Sequence, residues 1–174
     1  TIFLVWYVAR EWLPPFKGES LQGIHSINIA ALVTAALYAT SPTVIVQSRS
    51  SWNPYIMPFF SLLCIYSIWR VWSKNEFGWL IVLGISFAFV LQSHYLGLLL
   101  LPTLAIFWVT ALKKNSSKQP AVNSFIRSSI FGVVLFTFLM SPLVIFDARH
   151  DWRNFVSMQK FFSQNGGNLS FNPS

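Results

Sequence analysis

The stretch Phe77–Leu112, FGWLIVLGISFAFVLQSHYLGLLLLPTLAIFWVTAL, runs for 36 residues without Lys, Arg, Asp or Glu. A membrane helix needs roughly 20 apolar residues, within about 17–25. The interval is too long for one span and suits two short ones. Its polar break, Gln92-Ser93-His94-Tyr95, falls near the middle and is followed by Gly97. Helices are therefore expected over about Gly78–Leu91 and Leu96–Leu112, joined by a polar turn.

The rest of the chain reads the same way. Of 174 residues, 54% are hydrophobic, 17% aromatic and only 10% charged. A soluble domain carries about 25% charged residues. Twelve Lys/Arg and five Asp/Glu are too few to cover a water-soluble globule of this size. This excludes an ordinary soluble domain, a disordered chain and a disulfide scaffold. Further spans are expected at Ile24–Thr40, Pro54–Trp72 and Ile126–Phe146, with a partial one at the start. The fold class is all-α, a polytopic transmembrane bundle of about five full spans plus one partial. Residues 1–174 read as part of one multi-pass domain truncated at both ends. Residues 147–174 read as an outer-face loop or juxtamembrane segment.

Charge placement supports the two-span reading. Basic residues favour cytoplasmic loops. With two spans in the 36-residue interval, eight permanent cations fall on one side and four on the other; with one span the division is seven to five. Arg10–Gln22, Arg70–Glu76 and Lys113–Arg127 then lie inside, with Lys113–Pro120 a flexible linker. Arg49, His94 and Asp147 lie outside, at the plasma membrane. The net charge of +7 is explained by topology and contact with membrane lipids, with no nucleic acid partner.

Three polar stretches meet the outer face. In Gln47–Pro54, Arg49 can fork onto phosphate oxygens, Trp52 can stack on a sugar face, and Asn53 offers donor and acceptor. A snorkelling arginine beside an aromatic-belt tryptophan is the structural alternative. In Gln92–Tyr95, His94 can donate to a phosphate or move a proton, with Tyr95 beside it; a plain headgroup-level turn is the alternative. In Asp147–Arg153, a local ion-pair cluster after a helix end is the favoured reading, and Asp147 and Asp151 would share a helix face. Cys64, the single cysteine, has neither a disulfide partner nor metal spacing. The sequons at Asn115 and Asn168 carry no argument. No nucleotide loop, metalloprotease motif or nucleophile elbow is present.

The order of features resembles the GT-C class of integral-membrane glycosyltransferases, in its dolichyl-phosphate-mannose protein mannosyltransferase-like branch. The resemblance rests on Ala39-Thr40-Ser41-Pro42, then Ser48-Arg49 and Trp52-Asn53, then Pro58–Leu63. It continues through Gly84–Ala88 leading to Gln92-Ser93-His94-Tyr95, and ends with Ser141–Phe146. It implies transfer of a sugar from a polyprenyl-phosphate carrier to an acceptor, left open here, at the outer face. Arg49 would bind the phosphate, with Trp52, Asn53, His94 and Tyr95 near the substrate. Relatives often carry an acid near Asn53. The family's main catalytic acid follows its first helix, so no catalytic residue is expected in this chain and the piece alone is expected to be inactive. No metal ligands are assigned; a divalent cation is the one cofactor considered, and no residue set here implies it. A transporter or flippase, or a non-catalytic membrane subunit, is the competing reading. A transporter would favour inverted repeats and mid-membrane acids, and neither is seen.

Overall fold

The computed structural model describes residues 1–13, 28–49, 53–117 and 119–164. Every regular element among them is helical. Helix α1 (Ile2–Trp12) packs against α2 (Ile29–Thr40). Asn28 ties the two ends together. Its Oδ1 caps α2 by accepting from the Ala31 N–H at 3.1 Å, while its Nδ2 donates to the Leu13 carbonyl at 2.9 Å. Helix α3 (Pro42–Ser48) continues α2 after a 59° bend. Ser41 is extended because the ring of Pro42 disfavours the helical region for the residue before it. A 3₁₀ turn, Asn53–Ile56, leads into α4 (Met57–Lys74).

Asn75 stops α4 in the left-handed conformation, φ 56°, where asparagine is tolerated. Asn115 Nδ2 donates to its Oδ1 at 3.0 Å. Helix α5 (Trp79–Ser93) is apolar almost all round, as a helix with neighbours on several sides must be. It lies between α4 and α7. The expected break is real: His94 is extended, and a 3₁₀ turn over Tyr95–Leu100 feeds α6 (Leu101–Asn115). Helix α7 (Gln119–Arg149) is 31 residues long, and α8 (Arg153–Gln164) follows a turn in which Asp151 and Trp152 are both left-handed, φ 58° and 57°.

Helices α5 and α7 meet backbone to backbone. A Cβ placed on Gly132 would lie 2.5 Å from the Leu80 carbonyl oxygen, and one on Gly84 would run into the Gly132 carbonyl. Glycine is required at both positions, as where membrane helices approach closely. Pro142 sits inside α7 and supplies no N–H to the Phe138 carbonyl. Ser141 Oγ takes that carbonyl at 2.6 Å, and Gln92 Nε2 reaches across from α5 to the Leu139 carbonyl at 2.8 Å.

Three expectations are revised. By length and composition two helices among the described residues can cross a membrane, Tyr95–Asn115 and Gln119–Arg149, or three if the bent α2–α3 pair is one span. Five full spans are thus not confirmed among the described residues: α5 has 15 residues, or about 22 Å at 1.5 Å per residue, against a hydrocarbon core of about 30 Å. The Lys113–Pro120 linker is largely helical. Lys113–Asn115 complete α6, Lys114 Nζ donates to the Trp72 carbonyl at 2.9 Å, and α7 begins at Gln119. The Asp147–Arg153 cluster makes no ion pair among the described residues. Asp147 belongs to α7 while Asp151 lies beyond its end, so the two share no helix face.

Candidate functional site

At the end of the bundle where α5 stops and α7 ends, a cavity of 670 Å³ opens. Most of its lining is apolar, Met140, Leu143 and Val144 of α7 included; its polar groups are Gln92, Ser93, His94 and Tyr95 after α5 together with Asp147, Asn154 and Ser157. The chain brings these groups together through two local devices. His94 caps the 3₁₀ turn, its Nδ1 accepting from the Leu96 N–H at 3.1 Å. That bond assigns the neutral tautomer: Nδ1 is the acceptor, so Nε2 carries the proton and is a donor. The ring packs on Tyr95 with centroids 4.4 Å apart. Across the cavity, Asp147 is buried at 6% exposure. Its Oδ1 accepts from the Asn154 N–H at 2.8 Å and its Oδ2 from the Phe155 N–H at 3.0 Å. A buried carboxylate is tolerated because it satisfies two orphan amides at the start of α8.

A second cavity of 500 Å³ runs between α5, α6 and α7. Leu80, Leu83, Phe87, Leu104, Trp108 and Phe136 line it, and Gly84 and Gly132 sit in its wall. It is nearly all apolar, with a hydrogen bond from Trp108 Nε1 to Ser129 Oγ of 3.1 Å between two of its lining residues. Leu91 and Leu98 line both cavities. A chamber that gathers the polar groups, here termed the polar chamber although most of its lining is apolar, thus adjoins an apolar slot, an arrangement that fits a ligand with a polar head and a hydrocarbon chain.

Of the residues singled out in the sequence, His94 and Tyr95 line the polar chamber. Arg49 closes α3, is exposed, and is not among the lining residues; among the described residues its guanidinium makes no hydrogen bond or ion pair. Trp52 lies outside the described residues, as does the side chain of Asn53, whose backbone opens the 3₁₀ turn before α4. Among the described residues no group of three or more His, Cys, Asp or Glu could hold a metal ion.

Sequence reasoning missed Asp147 as a cap, Asn154 and Ser157 as lining, and a charge cluster at the opposite end. There Arg70 donates from Nε to Glu76 Oε2 at 2.7 Å, and from Nη1 to Glu11 Oε1 at 2.8 Å and to the Tyr66 hydroxyl at 2.9 Å. Lys74 Nζ also reaches Glu11, at 3.0 Å. Burial raises the Glu11 pKa, but the hydrogen bonds from Lys74 and Tyr66 and the charges of Arg70 and Lys74 outweigh it and hold the carboxyl below its ordinary 4.5. No local motif announces this cluster, because Glu11 and Arg70 are 59 residues apart.

A match to the family of dolichyl-phosphate-mannose-protein mannosyltransferases covers residues 24–146. The chain belongs to that family. It is thereby a mannosyltransferase-like membrane glycosyltransferase in general kind. No curated protein and no solved structure matches the chain. The family match takes in both glycines of the α5–α7 contact, the His94 turn and Pro142. It stops one residue before Asp147, so α8 and its capping carboxylate lie beyond it.

Proposed function

We propose that the paired cavities receive a sugar carried on a polyprenyl phosphate, and that the full-length protein transfers this sugar to an acceptor at the extracytoplasmic face of the plasma membrane. The observation that carries the reading is the shared boundary at Leu91 and Leu98 between a polar chamber and an apolar slot. The chain of the donor lies in the slot, where lipid-like surface replaces lipid. The phosphate and sugar lie in the chamber.

In the transfer the acceptor oxygen bonds to the anomeric carbon and the carbon–oxygen bond to the phosphate breaks. The electron pair stays with the departing polyprenyl phosphate, and the acceptor's proton passes to a base, a role assigned to no residue of this chain. Donors aimed at the leaving phosphate lower the barrier because charge develops there. The His94 Nε2–H is one proposed donor. Arg49 is the second, supported by an exposed guanidinium that no described residue engages. Trp52, Asn53 and Tyr95 are proposed neighbours of the sugar, on the strength of the family resemblance and, for Tyr95, its place in the chamber.

The slot provides the test. Ala105 is exposed and lines it, so Ala105→Phe adds bulk inside the slot while leaving the buried packing alone. Transfer by the full-length protein in proteoliposomes is measured with a long-chain donor and with a short-chain analogue. KM for the long-chain donor is expected to rise and KM for the short-chain analogue to stay near the parent value. Equal KM values in variant and parent for both donors would overturn the slot assignment. Arg49→Ala is expected to lower transfer strongly and Arg149→Ala little; equal, small effects would remove Arg49 from the site.

A further inference from the structure

Helix α8 has little protein beneath it. Every described side chain from Arg153 onward is exposed except Met158, which is half-buried, and Phe155 keeps 54% of its surface open. A 12-residue helix is marginal in water by itself. The face that carries Phe155 and Met158 borders the cavity, and the basic side of the helix is left open.

The sequence and the position of α8 together say what meets that side. At 3.6 residues per turn, Phe155 and Met158 fall on one side and Arg153, Val156, Ser157 and Lys160 on the other. From Arg149 to Gln164 there are three permanent cations and one acid, Asp151. The helix turns away from the end of α7, whose 31 apolar-rich residues are long enough to carry it through a bilayer to the headgroups. Trp152, half exposed at the turn, is the residue type that settles at that depth. Two consecutive left-handed residues redirect the chain there, and Asp147 fastens the first turn of α8.

We infer that α8 lies in the bilayer interface at the C-terminal end of α7 and is seated there by anionic phospholipid, with Arg149, Arg153 and Lys160 facing the headgroups. Basic amphipathic helices bind this way, through buried apolar area plus attraction to anionic lipid. Because Asn154, Phe155, Ser157 and Met158 line the polar chamber, the lipid that seats α8 also positions one wall of that chamber. The inference does not depend on which sugar or acceptor the chamber takes.

The test is amide hydrogen exchange on the full-length protein in nanodiscs of phosphatidylcholine alone and of phosphatidylcholine with phosphatidylglycerol. Amides of α8 are expected to be more protected in the anionic discs. Lys160→Gln is expected to lose about fivefold of that added protection, the effect of one cation near an anionic surface. Amides of α5 serve as the control and should not respond. Protection of α8 that is equal in both lipids would mean that protein rather than anionic lipid covers it, and overturns the inference. Absence of protection in the anionic discs overturns it too.

Discussion

Asp147 and Asn154 are joined across the turn between α7 and α8: the carboxylate Oδ1 of the first accepts from the backbone N–H of the second at 2.8 Å, and Oδ2 accepts from the next N–H along. One buried side chain therefore sets where α8 begins and where the far wall of the polar chamber stands. Losing such a cap costs about 0.5–2 kcal/mol. Asp147→Ala is expected to speed exchange of the Asn154 and Phe155 amides by about 2- to 30-fold, with little change in the melting temperature of the bundle. Unchanged exchange at those two amides would show that the cap is idle.

Gly84 and Gly132 bring α5 and α7 into backbone contact. Gly132→Val is expected to force the helices apart and to destabilise the protein by about 1–3 kcal/mol or more, the range for overpacking. Gly78, which has open space around its Cβ position, is the control; Gly78→Ala should be near neutral. Thermal unfolding in detergent separates the two, and a melting temperature for the Gly132 variant equal to that of the Gly78 variant would refute the close contact.

The Arg70 cluster joins α1 to α4. Removing one partner of a fully buried pair costs about 3–5 kcal/mol because the other charge is left stranded, and the half-buried Arg70–Glu11 pair falls below that range. Arg70→Met is thus expected to loosen α1 more than Lys74→Met does, since Lys74 is far more exposed than Arg70. The pH dependence follows from the depressed Glu11 carboxyl. Its contribution is fully present above its ordinary pKa near 4.5 and fades as pH falls through the lower folded value. Acid titration of α1 protection by hydrogen exchange checks this. A contact that strengthens on acidification contradicts it.

His94 holds two roles on two nitrogens. Nδ1 caps the Tyr95–Leu100 turn, and Nε2–H is the proposed donor to phosphate. Asparagine can cap as well as histidine but does not reach as far. His94→Asn is expected to keep the melting temperature and lower transfer about 10- to 150-fold, the loss of one hydrogen bond to a charged group. His94→Leu should lose the cap as well. Full transfer by the Asn variant would remove His94 from the chemistry.

Composition and local spacing were enough to establish an all-helical membrane chain, its break at Gln92–Tyr95 and the end of α2 at Thr40. These are properties of short windows: apolar runs, proline geometry and the cost of putting polar backbone into lipid. His94 and Tyr95 stood out as a polar break in an apolar run, with a plain headgroup-level turn as the alternative, and the structure places both in the lining of the chamber. Helix lengths were less legible, because Lys113–Gln119 looks like a loop until Asn115 and Lys114 find partners at the end of α4. The tertiary structure alone decided that Asp147 caps α8, that Glu11 meets Arg70, that Gly84 faces Gly132, and that the polar chamber and apolar slot share Leu91 and Leu98. Each is a meeting of residues distant in sequence or of separate helices. Such meetings follow from how helices stack, and helix stacking is a property of matched surfaces rather than of any one segment.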